Sequence, residues 1–217
     1  VTDAATAGGL GSISGLTDVE RLTLRDGTTG QVTAPTTGGL SITAAAGANI
    51  LLGAFDQSFT GSGDGDTLDV GSFFTTGTLD GGKGTDTLQM DGGANISASA
   101  GGSFETLQLQ GNGTYTMNLA QHTSFGTITA AGGSETIVLT TAGALTAGSA
   151  VENYTLANLA GNDITITAAN QSVTGQNASD VVNTGSVTTA LTGTFALGGG
   201  TDVLNVDSNV DISGATT

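Results

Sequence analysis

From Glu20 to Val206 one short unit recurs: an acidic or amide residue followed by alternating apolar positions. Full copies are Glu20-Arg21-Leu22-Thr23-Leu24, Asp66-Thr67-Leu68-Asp69-Val70, Asp86-Thr87-Leu88-Gln89-Met90, Glu105-Thr106-Leu107-Gln108-Leu109, Glu135-Thr136-Ile137-Val138-Leu139 and Asp202-Val203-Leu204-Asn205-Val206. Related units start at Asn49, Glu152, Asp163 and Asp180. Successive starts lie 29, 17, 20, 19, 30, 17, 11, 17 and 22 residues apart, so the common step is 17 to 22. Period-2 alternation over about five residues, bounded by Gly, Asn, Ser or Asp, specifies a short strand between tight turns. A step of this size fits one coil of a parallel β-solenoid, in which a lone coil cannot bury its apolar row and a stack of coils can.

Composition points the same way. The chain has 37 Gly but 1 Pro, and its β-branched residues are plentiful, which describes glycine-punctuated strand. No segment keeps a 3.6-residue apolar period, and the Ala-rich stretches 44–48 and 142–151 are interrupted by glycine, so only short helical turns are expected. Aromatics make up 4 %, which suggests a narrow interior lined by Leu, Ile, Val and Thr. The expected fold is therefore all-β, a single solenoid domain over residues 1–217. Loops are expected in the two long gaps, around Pro35 and around Gln110-Gly111-Asn112-Gly113. Beginning at Val1 and ending in repeat-like sequence, the chain reads as part of a longer polypeptide.

Charge narrows the function. Three Lys and Arg stand against 19 Asp and Glu, for a formal charge of −16. Nucleic acid and anionic membrane surfaces both require clustered cations, so neither is an expected partner. No apolar run is long enough to span a bilayer, and there is no cysteine. Carboxylates concentrated between Asp56 and Asp91 repel one another unless a cation neutralises them.

The glycine turns in that segment are suited to such a cation. Gly81-Gly82-Lys83-Gly84-Thr85-Asp86 combines glycines that free the backbone carbonyls with a carboxylate, the hard oxygen donors that calcium prefers. Gly61-Ser62-Gly63-Asp64-Gly65-Asp66 repeats the turn 20 residues earlier, with Asp64 as a possible extra ligand. Stacked coils would place Asp66 and Asp86 in register about 4.8 Å apart, with Asp80 and Asp91 flanking them. Gly198-Gly199-Gly200-Thr201-Asp202 is a third version. The candidate calcium residues are thus Gly61, Gly63, Asp64, Asp66, Asp80, Gly82, Gly84, Asp86 and Asp202. Asp163 and Asp180 are weaker candidates: Gly161-Asn162-Asp163 keeps the turn chemistry, whereas Gly175-Gln176-Asn177-Ala178-Ser179-Asp180 has lost the internal glycines.

The turn at 81–86 resembles the nonapeptide calcium-binding repeat of RTX proteins, a family of secreted bacterial proteins. Val19-Glu20-Arg21-Leu22-Thr23-Leu24, Phe104-Glu105-Thr106-Leu107-Gln108-Leu109 and Val151-Glu152-Asn153-Tyr154-Thr155-Leu156 are similar to the segments that accompany such repeats in S-layer proteins and large adhesins. The glutamates themselves are expected to start strands and cap turns. The resemblance covers most of residues 18–211. It implies a secreted, cell-surface structural protein whose β-solenoid is stabilised by calcium and whose partners are further copies in a lattice. A stalk or glycan-binding repeat of an adhesin is the alternative. A β-helix polysaccharide lyase or epimerase is disfavoured because only Arg21, Arg25 and Lys83 could meet an anionic substrate. His122, the single histidine, is expected to sit in a loop without a catalytic partner, and no enzymatic activity is expected.

Overall fold

A computed structural model of the chain describes residues 2–4, 13, 18–25, 27–28 and 30–215. The remainder of the expected 1–217 domain lies outside the described residues. The described chain is a parallel β-solenoid of about ten turns, with roughly 19 residues per turn.

Each turn winds past up to three faces. Face A begins as a sheet of β1 (Thr2–Ala4), β2 (Arg21–Leu24), β4 (Ser41–Ala44), β6 (Ser58–Thr60), β8 (Thr78–Asp80) and β10 (Ala100–Gly102). Face B stacks β3 (Val32–Thr33), β5 (Asn49–Leu51), β7 (Thr67–Asp69), β9 (Thr87–Asp91), β11 (Thr106–Gln110) and β13 (Thr127–Ala130). Face C starts as single bridges through Phe74, Asn95 and Thr116. It becomes the sheet β12 (Gly113–Met117), β14 (Glu135–Leu139), β16 (Asn153–Leu156), β18 (Ser172–Thr174) and β20 (Phe195–Ala196). Face A then resumes as β15 (Gly143–Thr146), β17 (Asn162–Thr165), β19 (Val181–Asn183) and β21 (Val203–Asn205).

Paired residues are one coil apart, from 17 residues at Ile42↔Phe59 to 22 at Leu79↔Gly101, the step the sequence predicts. Because the register is preserved, like residues stack into columns. Leu22, Ile42, Phe59 and Leu79 form one buried column, and Ile50, Leu68, Leu88 and Leu107 form another. Burying a large aliphatic or aromatic side chain in such a column contributes about 1.5–3 kcal/mol. Aromatics share the interior, contrary to expectation. Tyr115, Tyr154 and Phe195 stack in the face C column, whereas the threonines Thr67, Thr87, Thr106 and Thr127 point outward in register on face B. The pleat explains this, since Thr occupies the alternate positions of each strand.

The long gaps are coils whose acidic start is missing. Between Glu20 and Asn49 the chain makes β3 and β4, with Leu40 standing where the repeat calls for an acid. The expected bulge at 110–113 is a tight corner joining β11 to β12. The second gap also holds the one helix among the described residues, α1 (Leu119–Ser124), capped by Asn118 and Gln121 in a reciprocal capping box. α1 takes the face A position between β10 and β15. Gln121 donates to the carbonyls of Ile96 and Ser99 on the coil below, and Leu119 N–H donates to Thr141 Oγ1 on the coil above.

Two further corners depend on glutamine. Gln57 donates Nε2 to the carbonyls of Pro35 and Thr37, one coil below, and accepts Gly53 N–H at 2.8 Å. Gln171 donates to Gly148 and Val151 and accepts from Thr167 and Ala168 N–H. Both side chains are sealed from water, and each satisfies backbone groups that would otherwise be buried without partners.

Candidate functional site: carboxylate ladders at the corners

The acidic residues that begin strands are not spread over the surface. At the corner leading into face B, Asp66 Oδ1 accepts Ala48 N–H at 2.6 Å, Asp86 Oδ1 accepts Asp66 N–H at 2.7 Å, and Glu105 Oε2 accepts Asp86 N–H at 2.7 Å. Each carboxylate thus closes a backbone donor of the coil before it. A second ladder stands at the corner into face C, where Glu152 Oε2 accepts Glu135 N–H at 3.0 Å. The third is at the corner into the upper part of face A: Asp180 Oδ1 accepts Asn162 N–H at 2.8 Å, and Asp202 Oδ1 accepts Asp180 N–H at 2.9 Å.

The sequence-predicted residues divide between these ladders. Asp66 and Asp86 stack in register as expected, with Thr67 opposite Thr87. Asp80 lies half-buried near Asp86 and accepts Gly82 N–H. Asp64 is exposed, and Gly63 has open space around it. Asp202 belongs to a different corner altogether, stacked on Asp180. Asp163, the weaker candidate, is exposed on β17; the ladder position is Asn162. Glu105 and Glu152 cap turns, as expected of a strand start. Asp180 and Glu135 carry more than their turn sequences suggested, because their side chains are buried. The signal that locates them is an acid just before an apolar strand, one coil from another acid.

Glycines make room for the carboxylates. A Cβ at Gly81 would fall 2.2 Å from the Ser103 carbonyl and 2.9 Å from Asp86 Oδ2. At Gly61 it would lie 1.9 Å from the Gly81 carbonyl and 2.7 Å from Asp66 Oδ2. At Gly175 it would lie 2.3 Å from the Leu197 carbonyl and 2.5 Å from Asp180 Oδ2. The first glycine of each of these turns is therefore barred from carrying a side chain chiefly by a backbone carbonyl of the next coil, with the carboxylate five residues later crowding the same space. Gly84 and Gly200 hold φ of +124° and +116°, a conformation open to glycine.

These equivalences expose an internal duplication. Gln57-Ser58-Phe59-Thr60-Gly61 and Asp66 correspond to Gln171-Ser172-Val173-Thr174-Gly175 and Asp180. Thr76-Gly77-Thr78-Leu79 and Gly84-Thr85-Asp86 correspond to Thr192-Gly193-Thr194-Phe195 and Gly200-Thr201-Asp202. The backbone bonds repeat too: Gly61 N–H to Asp80 matches Gly175 N–H to Ala196, and Lys83 N–H to Ser62 matches Gly199 N–H to Gln176. The second copy lies one face back along the winding, with its strands on faces C and A where the first copy's are on A and B.

Electrostatically the ladders are under-compensated. Asp66 has both oxygens engaged, since Oδ2 accepts Ser62 N–H and Oγ–H. Asp86 Oδ2, Asp180 Oδ2 and both oxygens of Glu135 are buried without a hydrogen-bond partner of good geometry. Burial pushes the carboxyl groups of Asp86, Asp180 and Glu135 above their ordinary range, and neighbouring carboxylates add to the rise. At Glu152 burial is the largest influence and acts upward, but hydrogen bonds with the Glu135 backbone N–H, the Glu135 side chain and its own backbone together outweigh it and hold this carboxyl below the usual value.

An oxygen-only set of carboxylates and glycine carbonyls is the donor chemistry of calcium, and the orphaned Asp86 Oδ2 fits that expectation. Among the described residues no three His, Asp or Glu side chains converge on one point. Backbone carbonyls would have to supply most of the ligands. The class defined by these observations is a three-faced parallel β-solenoid with acidic corner ladders. No protein-family model, curated protein or solved structure matches the chain.

Proposed function

We propose that the chain is a structural, non-enzymatic β-solenoid segment of a secreted bacterial surface layer, stabilised by calcium and assembling with further copies of itself. The observation that carries this reading is the buried, unpartnered Oδ2 of Asp86 within a stack of like charges. Ionised carboxylates sealed one coil apart destabilise the fold until a cation or a proton offsets them. With three Lys and Arg in the whole chain, the protein supplies little of that compensation itself.

In this reading Asp86, with carbonyl oxygens of the 81–86 turn, holds the ion at the first ladder, and Asp180 and Asp202 form the equivalent place at the third. A bound divalent ion supplies fixed positive charge that ties adjacent coils together. The outward threonine, serine and asparagine columns provide the hydrogen-bonding surface for neighbouring copies. Light scattering across a calcium titration, with magnesium at matched ionic strength as control, tests the assembly step. Association driven by calcium alone supports the reading. Equal association with magnesium reduces it to charge screening, and a parent protein that stays monomeric in saturating calcium contradicts it.

A further inference from the structure

His122 has no part in the ladders, and the structure corrects the expectation that it is a loop residue. It sits in α1, 4 % exposed, with Nε2 3.2 Å from the Tyr154 hydroxyl. That hydroxyl oxygen accepts Gly148 N–H at 2.7 Å, which leaves the phenol proton free to donate to Nε2. A neutral imidazole accepting at Nε2 carries its proton on Nδ1. Nδ1 is buried and has no hydrogen-bond partner. Burial alone lowers the His122 pKa to about 4; no charged neighbour contributes.

The imidazole lines a cleft of about 380 Å³ between the end of α1 with the start of β13 and the coil above. Its other walls include Thr123, Phe125, Ile128, Thr146 and Ala147. The cleft follows from the fold. α1 replaces a face A strand, and above β13 no strand forms at 147–151, so Gly148 packs directly on Ile128. Among the described residues, no Asp or Glu lines this cleft.

We propose that the cleft binds a neutral, hydroxyl-bearing ring of monosaccharide size, with one hydroxyl oxygen accepting from His122 Nδ1–H. A charged ligand would lose hydration and meet no countercharge. A wholly apolar ligand would leave Nδ1–H unsatisfied. A pyranose matches both halves of the wall, laying its C–H face on Phe125 and Ile128 and turning hydroxyls to His122 and Thr146. The volume falls within the usual range of small-molecule sites, about 300–1,000 Å³. Because Nδ1 is covered in the free protein, contact requires a small tilt of the imidazole into the cleft.

A single histidine makes the test direct. The whole chain, labelled with ¹⁵N-histidine, is titrated with methyl β-glucopyranoside, methyl β-galactopyranoside and N-acetylglucosamine, with glucuronate as the charged control. The expected result is a saturable Nδ1 shift from at least one neutral sugar, with Kd of about 1–10 mM and none from glucuronate. Thr146→Trp, a filler at an exposed rim position, should weaken binding at least tenfold while leaving the melting temperature unchanged. An Nδ1 signal unmoved by all three sugars at about 50 mM overturns the proposal, as does equal binding of glucuronate or undiminished binding by the filled variant. Repeating the titration in chelator separates this outcome from failure of the calcium reading.

Discussion

Asp86 illustrates how one side chain can be needed and costly together. Its Oδ1 closes the Asp66 N–H, whereas its buried Oδ2 has no donor. Asp86→Asn keeps an acceptor for Asp66 and removes the charge, so in chelator at pH 7 it should raise the melting temperature while weakening the response to calcium. The pH dependence has a definite sign. Asp86, Asp180 and Glu135 bind protons more tightly folded than unfolded. Between the unfolded and the raised folded values the native state holds more protons, so unfolding free energy falls as pH rises. The contribution of these three groups in chelated protein is therefore fully present below their unfolded values and is lost as pH rises through their folded ones. Glu152 works in the opposite direction: its stabilisation is present above its unfolded pKa and is lost as pH falls through its lower folded value. Urea melts across this range check both signs. Glycine supplies a second test. Gly81→Ala forces a Cβ into Ser103 O and Asp86 and should cost about 2–4 kcal/mol, whereas Gly63→Ala, which meets nothing, should stay within about 0.5 kcal/mol.

At the scale of elements, the corners decide the fold as much as the strands do. Gln57 and Gln171 each satisfy two carbonyls of the coil below while accepting from their own turn. Gln171→Leu should destabilise by about 2–4 kcal/mol by orphaning buried carbonyls and amides, against less than about 0.5 kcal/mol for an exposed polar residue such as Thr194→Ser. Strands were legible because each pairs a start residue with period-2 alternation, and the coil length followed from their spacing. The Leu40 coil was missed because it replaces the acid with an apolar residue, leaving only a weak alternating run. α1 escaped because six residues are too short to show a helical period, although its Asn118 and Gln121 capping pair was present in the sequence. The ladders were half-legible: glycine turns pointed to Asp66 and Asp86, but Asp180, Glu135 and Glu105 become partners only when coils stack. Asp202 was grouped with Asp66 and Asp86 by its motif, and the shift of the duplicated cassette by one face places it elsewhere.

The whole molecule carries −16 formal charges, and its three corner ladders bring some of them within one coil of each other. Simple salt screens exposed charge but reaches sealed oxygens poorly, so sodium chloride should stabilise the chelated protein less than calcium at equal ionic strength. A ligand bound only by the folded state stabilises by about 2.7 kcal/mol at a hundred times its Kd. For a chain of this length that corresponds to a rise of roughly 5–10 °C in melting temperature. The decisive measurement is the melting temperature of the wild-type chain and Asp86→Asn at pH 7, each in chelator, in calcium and in magnesium. Calcium should raise the wild-type melt by roughly that amount, magnesium by much less, and Asp86→Asn should respond weakly to either. Superimposable wild-type melts in chelator and in saturating calcium would contradict the account.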